Sequence, residues 1–88
     1  MSKEHVFEVV KKIVMEVLPD VGPEQISMEI SLKDLGANSI DRMEVVTMSM
    51  EELGLKIPLM SFAHVSNVEG LVDVLNMNYA AVSENDTM

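Results

Sequence analysis

Eighty-eight residues, 48% of them apolar and none of them cysteine, allow one small domain with a single core. They exclude a disulfide framework and a cysteine-ligated metal site, and His5 and His64 lie too far apart for metal-ligand spacing. The net charge of −9 falls after residue 12, where thirteen acids face only Lys33, Arg42 and Lys56; such a field repels nucleic acid and anionic membrane and draws basic partners, although surface acids also serve plain solubility.

Charges interrupt the N-terminal pattern every few residues, so no signal-peptide core forms. No uncharged apolar run approaches membrane-spanning length, and a cytoplasmic location is expected. From Lys3 to Val17, Val6, Val10, Ile13 and Val17 share one helical stripe, widened by Phe7, Val9 and Val14. Ser2 suits the N-cap, and Pro19 disfavours helical geometry at Leu18, so the first helix ends there.

Residues 18–38 form a long connection punctuated by Pro19, Gly22, Pro23 and Gly36. Loops of this length in compact domains are usually functional or tethered. Ile26, Ile30, Leu32 and Leu35 are the expected tethers, with a single helical turn over Ser31 to Leu35.

A second helix is predicted from Ser39 to Leu53, stopped by Gly54. Ile40, Met43, Val46, Met50 and Leu53 occupy one arc; Asp41, Glu44, Glu51 and Glu52 occupy another, with Met48 among them. Val45 falls off both arcs and blurs the core boundary.

Leu55, Ile57, Pro58 and Leu59 read as an extended link, followed by one helical turn at Ser61 to Val65. Ser66-Asn67-Val68-Glu69 has the capping-box pattern and opens a last helix with Val68, Leu71, Val72, Leu75 and Tyr79 on one face. Residues 83–88 read as a polar, disordered tail beyond a domain spanning 1–82. The expected architecture is an all-α bundle of four helices, the third of them short, with a long loop between the first two.

Ser39 stands where loop meets helix. A serine there is most often a cap; Asn38 can cap instead, with Asp41 three residues on, and the Ser39 hydroxyl is then left for solvent. A hydroxyl so placed favours an attached phosphate. Direct nucleophilic catalysis needs an adjacent base, and no histidine is near in sequence. The helix-two acids read equally as a solvated face or as a docking surface for basic partners. Nine methionines suit a pliable core, or one that opens to admit an apolar chain.

Gly36-Ala37-Asn38-Ser39-Ile40-Asp41 resembles the Gly-x-Asp-Ser-Leu-Asp signature of acyl carrier proteins. The match continues through Glu44, Glu51-Glu52 and Ile57-Pro58 into the last helix. The resemblance implies a monomeric, non-enzymatic carrier in which Ser39 bears 4′-phosphopantetheine, added from coenzyme A by a phosphopantetheinyl transferase. It further implies a partner face of Ile40, Asp41, Met43, Glu44, Thr47 and Glu51, and Arg42, Leu59, Met60 and Phe62 are expected to extend that face.

Three departures narrow the family. Asn38 replaces the usual Asp, Arg42 puts a cation into an acidic or neutral stretch, and Leu59 to His64 is apolar where fatty-acid carriers are acidic. Ser-Ile-Asp-Arg-Met-Glu looks most like the donor carriers of polyketide β-branching cassettes. These are loaded with malonyl by an acyltransferase, decarboxylated to acetyl by a ketosynthase-like protein, and used by a 3-hydroxy-3-methylglutaryl (HMG) synthase homologue. A general fatty-acid or elongation carrier, a helical interaction module without a prosthetic group, and a small hydrolase are the alternatives.

Overall fold

The computed structural model describes the backbone of residues 3–86 and the side chains of residues 3–79. Helix α1, Lys3–Val17, buries Val6, Val10, Ile13 and Val14, so the stripe of β-branched residues read from the sequence is its core face. The Leu18 N–H donates to Val14 O at 2.8 Å and closes the helix one residue before Pro19.

The long connection is ordered by its own hydrogen bonds. Gln25 Oε1 accepts from Gly22 N at 2.8 Å around a short 3₁₀ turn, Pro23–Gln25. Ile26 and Leu32 are buried, and Met28, Ile30 and Leu35 pack partly against the core, as tethers should. Asp34 N donates to Ser31 Oγ, and the turn that follows closes through Gly36 N to Lys33 O and Ala37 N to Leu32 O, both 3.0 Å. That closure needs a left-handed residue, and Gly36 supplies it at φ +95°.

Helix α2, Ser39–Leu53, ends in the same way. Gly54 sits at φ +70°, its N–H donates to Glu51 O, and Leu55 N donates to Met50 O at 2.8 Å. Leu55 is buried, which supplies the apolar contact of this stop signal.

The face that α2 buries differs from the expected arc. Its buried residues are Val45, Ser49 and Leu53. Val46 and Met50 are half-buried, while Ile40 is 70% and Met43 52% exposed. Successive steps of about 100° place Val45, Ser49 and Leu53 on one line, so the core line runs beside the methionine arc rather than along it. Ser49 is fully buried, and its hydroxyl has no hydrogen-bond partner among the described residues.

The expected short third helix forms no α-helix. The chain makes a 3₁₀ turn at Leu59–Phe62, with i to i+3 bonds from Ser61 N to Pro58 O and from Ala63 N to Met60 O. Three α-helices, not four, therefore make the bundle among the described residues. Four residues behind Pro58 provide too few successive bonds to offset nucleation of an α-helix, and the tighter turn suffices.

Helix α3, Val68–Asp86, buries Val68, Leu71, Val72 and Leu75 between the other helices. Its cap is Asn67 rather than Ser66: Asn67 Oδ1 accepts from Gly70 N at 2.8 Å. The N–H groups of Val68 and Glu69 donate to Ile30 O and Met28 O at 2.9 and 2.8 Å. The start of α3 thus stitches the long loop to the bundle. The side chains of the expected tail, 83–88, lie outside the described residues, as do Thr87 and Met88 entirely.

Among the described residues, three ion pairs link α1 to the other helices: Lys3 to Asp73 at 2.8 Å and to Glu69 at 3.1 Å, and Lys12 to Glu52 at 2.7 Å. The hydrogen bond from Lys12 holds the Glu52 carboxyl below its ordinary value and raises Lys12 above its own. Bonds to Asp73 and then Glu69 raise Lys3 likewise. The Glu52 contribution is present above the ordinary carboxylate range and fades as pH falls through its lowered value. The lysine contributions are present below the ordinary lysine range and fade as pH rises through the raised ones. All these groups are solvent-exposed, so they orient the helices more than they stabilise them.

Candidate functional site

The site begins at a cap. Asn38 is extended, its Oδ1 accepts from Asp41 N at 2.8 Å, and its own N–H donates to Asp41 Oδ2 at 3.2 Å. This reciprocal pair satisfies the start of α2 without Ser39. Ala37 is buried just before the cap and anchors the chain in the core, while Asn38, Ser39 and Ile40 are all exposed. The Ser39 hydroxyl is therefore presented at the first helical position with no capping duty. Its hydrogen bond is with Arg42, whose Nη2 donates to Ser39 Oγ at 3.3 Å.

Beside that hydroxyl opens a cleft of about 550 Å³. Met43 and Val46 of α2, Leu59 and Phe62 of the 3₁₀ turn, and the buried Leu71 of α3 give it apolar walls; Ser39, Arg42 and Lys33 bring polar atoms to it. Lys33 is exposed and makes no ion pair among the described residues. The long loop, the 3₁₀ turn and the starts of α2 and α3 surround the cleft, and α1 contributes no residue to it.

The expected site residues separate into four groups. Ser39, Arg42, Met43, Leu59 and Phe62 line the cleft. Ile40 and Met60 lie outside it, at 70% and 86% exposure, and Met43 and Leu59 are also exposed, so four of the five large apolar side chains left in water among the described residues lie on the first two turns of α2 or on the 3₁₀ turn; the fifth, Met77, lies on α3 away from the cleft. Glu44, Thr47 and Glu51 are exposed on α2 outside the cleft. Asp41 is half-buried and engaged in the cap, which makes it a fixed part of the helix start rather than a free acid.

Sequence reasoning missed the cleft's other walls, among them Lys33, Val46, Val65 and Leu71. Lys33 carried a signal, being one of three cations beyond residue 12. The apolar members carried none, because their pattern reads as core.

Chemically, the site offers an accessible alcohol, a guanidinium beside it and an apolar-walled cleft starting at the same point. An anionic, elongated group esterified to Ser39 fits these features: the oxygen is free of the cap, and the cation and cleft lie next to it. Among the described residues, no group of three or more His, Cys, Asp or Glu side chains is arranged to hold a metal ion. No helix among them is long and apolar enough to cross a membrane.

Comparison with known proteins points to the same chemistry. The family described as the phosphopantetheine attachment site matches residues 8–75. The polyketide biosynthesis acyl-carrier-protein AcpK of Bacillus subtilis (strain 168) is 41% identical over 75 residues, covering 85% of this chain and 92% of that one. An acyl carrier protein of Thermosynechococcus vestitus is 34% identical over 82 residues, covering 92% of this chain and all of that one. Among solved structures, a chain from the crystal structure of the curacin biosynthetic pathway HMG synthase in complex with acetyl donor-ACP superposes with a TM-score of 0.79 at 37% identity, covering 85% of this chain and 96% of that chain. The family match over most of the chain, with relatives above 30% identity along nearly their whole length, shows that this chain belongs to the phosphopantetheine attachment family, as an acyl carrier protein that bears 4′-phosphopantetheine covalently.

Proposed function

We propose that Ser39 is the attachment point and that the protein delivers an acetyl group, loaded as malonyl and decarboxylated, to an HMG-synthase-like enzyme of polyketide β-branching. The observation that carries this reading is the cap: Asn38 and Asp41 bond each other and leave the Ser39 oxygen to solvent at the mouth of the cleft. The likeness to a carrier solved with an HMG synthase supports the partner, and the likeness to a polyketide carrier supports the pathway class.

Each residue then has a task. Ser39 Oγ forms the phosphoester in a reaction catalysed by a separate phosphopantetheinyl transferase, with the adenosine bisphosphate of coenzyme A as leaving group. Asn38 and Asp41 keep that oxygen out of the cap before and after attachment. Ile40, Met43, Leu59 and Met60 supply apolar anchors for docked enzymes, including the acyltransferase and the decarboxylating ketosynthase-like protein, while Glu44 and Glu51 steer basic surfaces toward them. Phe62 and Thr47 border these anchors. The prosthetic group supplies a thiol on a long arm, which holds the acyl unit as a reactive thioester at high effective concentration beside each docked enzyme. The chain itself performs no chemistry on the acyl group.

Incubation with coenzyme A and a phosphopantetheinyl transferase is expected to add one phosphopantetheine to the intact mass, and Ser39→Ala is expected to abolish the gain. A gain that survives Ser39→Ala would sink the assignment. For the partner, acetyl-loaded protein is expected to support an HMG synthase homologue acting on a β-ketoacyl chain held by another carrier. Support of ordinary chain elongation in its place would make this a general carrier.

A further inference from the structure

We propose that Arg42 grips the root of the arm: its guanidinium binds the non-bridging oxygens of the phosphate on Ser39 and sets the direction in which the arm leaves α2. The inference rests on Ser39 being the attachment point. It concerns what this chain does to the arm once attached.

The first ground is geometric. Arg42 lies three residues after Ser39, so the two side chains share a helix face, and Nη2 already stands 3.3 Å from Ser39 Oγ. On attachment that oxygen becomes the ester oxygen, and the non-bridging oxygens lie one bond beyond phosphorus. The guanidinium fork can meet them with little movement.

The second ground is chemical. A neutral hydroxyl at 3.3 Å makes poor use of a planar fork with five donors, whereas a phosphodiester offers it charge-assisted, two-point bonding. Lys3 and Lys12 are committed to Asp73, Glu69 and Glu52, while Arg42 has no carboxylate partner among the described residues. Arg42 is also half-buried at the cleft wall, where water and salt screen it less than a free surface lysine.

The third ground is the field around it. The other charged residues of α2 are all acids: Asp41, Glu44, Glu51 and Glu52. Steps of about 100° put them on the flank away from Arg42 or behind it, so a new phosphate meets repulsion on one side and a single cation on the other. Lys33, across the cleft, adds to the same bias. The arm is thereby rooted on the cleft side of α2, beside Met43 and Leu59, and away from Glu44 and Glu51.

The test compares the holo forms of the wild type, Arg42→Gln and Arg42→Lys, after intact mass has shown the arm on each. Two resonances are read: the phosphodiester phosphorus, and the Arg42 Nε–H between apo and holo wild type. The expected result is a clear displacement of Arg42 Nε–H on attachment and a phosphorus resonance that moves in Arg42→Gln, with Arg42→Lys between the two. In the wild type the phosphorus shift is expected to respond to added salt, and in Arg42→Gln to lose that response. Coincident phosphorus resonances in wild type and Arg42→Gln, or an Arg42 Nε–H that does not move, overturn the role of Arg42 and leave Ser39 attachment standing. Failure of any arm to attach at Ser39 overturns both.

Discussion

Replacing Leu71 by alanine is expected to cost about 2–5 kcal/mol of folding stability, the range for truncating a leucine inside a packed core. Leu71 is 1% exposed and belongs to the central cluster with Val6, Val45 and Leu75, yet it also forms the inner wall of the cleft. A domain of this size holds roughly 4–13 kcal/mol in all, so one side chain carries a large share. Urea unfolding with an unchanged denaturant slope measures the loss, and thermal unfolding should show a drop of at least about 8 °C. Leu75→Ala, equally buried but away from the cleft, is the control for pure core loss. A cost for Leu71→Ala below about 1 kcal/mol would mean that the wall behind the cleft is mobile, with neighbours able to collapse into the gap.

The double duty of Leu71 shows where sequence reading stops. The end of α1 and both limits of α2 were legible because their signals are local: Pro19 after one helix, Gly54 after the other, and Asn38 paired with Asp41 at the start of α2, while Ser2, the expected cap of α1, lies outside the described residues. Which apolar residues of α2 go inside was not legible. Ile40 and Met43 look as core-like as Leu53 in a periodicity count, yet both stay in water, because periodicity finds an apolar arc without telling which edge of it meets the other helices. Ser49 is the converse, a hydroxyl fully buried on the core line that no apolar pattern marks.

The turn at Leu59–Phe62 failed for a related reason. The sequence points to a helical turn at Ser61 to Val65 after an extended link through Leu59, whereas the chain turns earlier and needs only one tight turn to pass from Ile57 in the core to the start of α3. Leu59 and Met60 are left exposed as a consequence, and Leu59 forms one wall of the cleft. The cap of α3 slipped by one residue because Ser66 and Asn67 are both good caps; the loop carbonyls of Met28 and Ile30, far away in sequence, decide between them by taking the N–H groups of Glu69 and Val68.

Met43→Glu is expected to lower the efficiency of acetyl delivery to an HMG-synthase-like partner by about 10–100-fold, the loss of one apolar anchor worth roughly 1.5–3 kcal/mol at an interface. The substitution adds an acid next to Glu44 on a helix already rich in them. If charge alone recruited a basic partner, the variant would bind at least as well as the wild type. If the exposed methionine inserts into the partner, binding weakens, and the defect persists at high salt because no screened attraction has been removed. Met43 is 52% exposed, so folding stability should change by no more than about 0.5 kcal/mol, and attachment of phosphopantetheine confirmed by mass keeps loading apart from delivery. Glu51→Lys gives the opposite signature: a smaller defect, carried by the association rate and erased by salt. Measuring transfer from acetyl-loaded protein across a salt series separates the two. Unimpaired or faster transfer by Met43→Glu would assign recognition to the acids and leave the exposed apolar rim around Ser39 without a docking role.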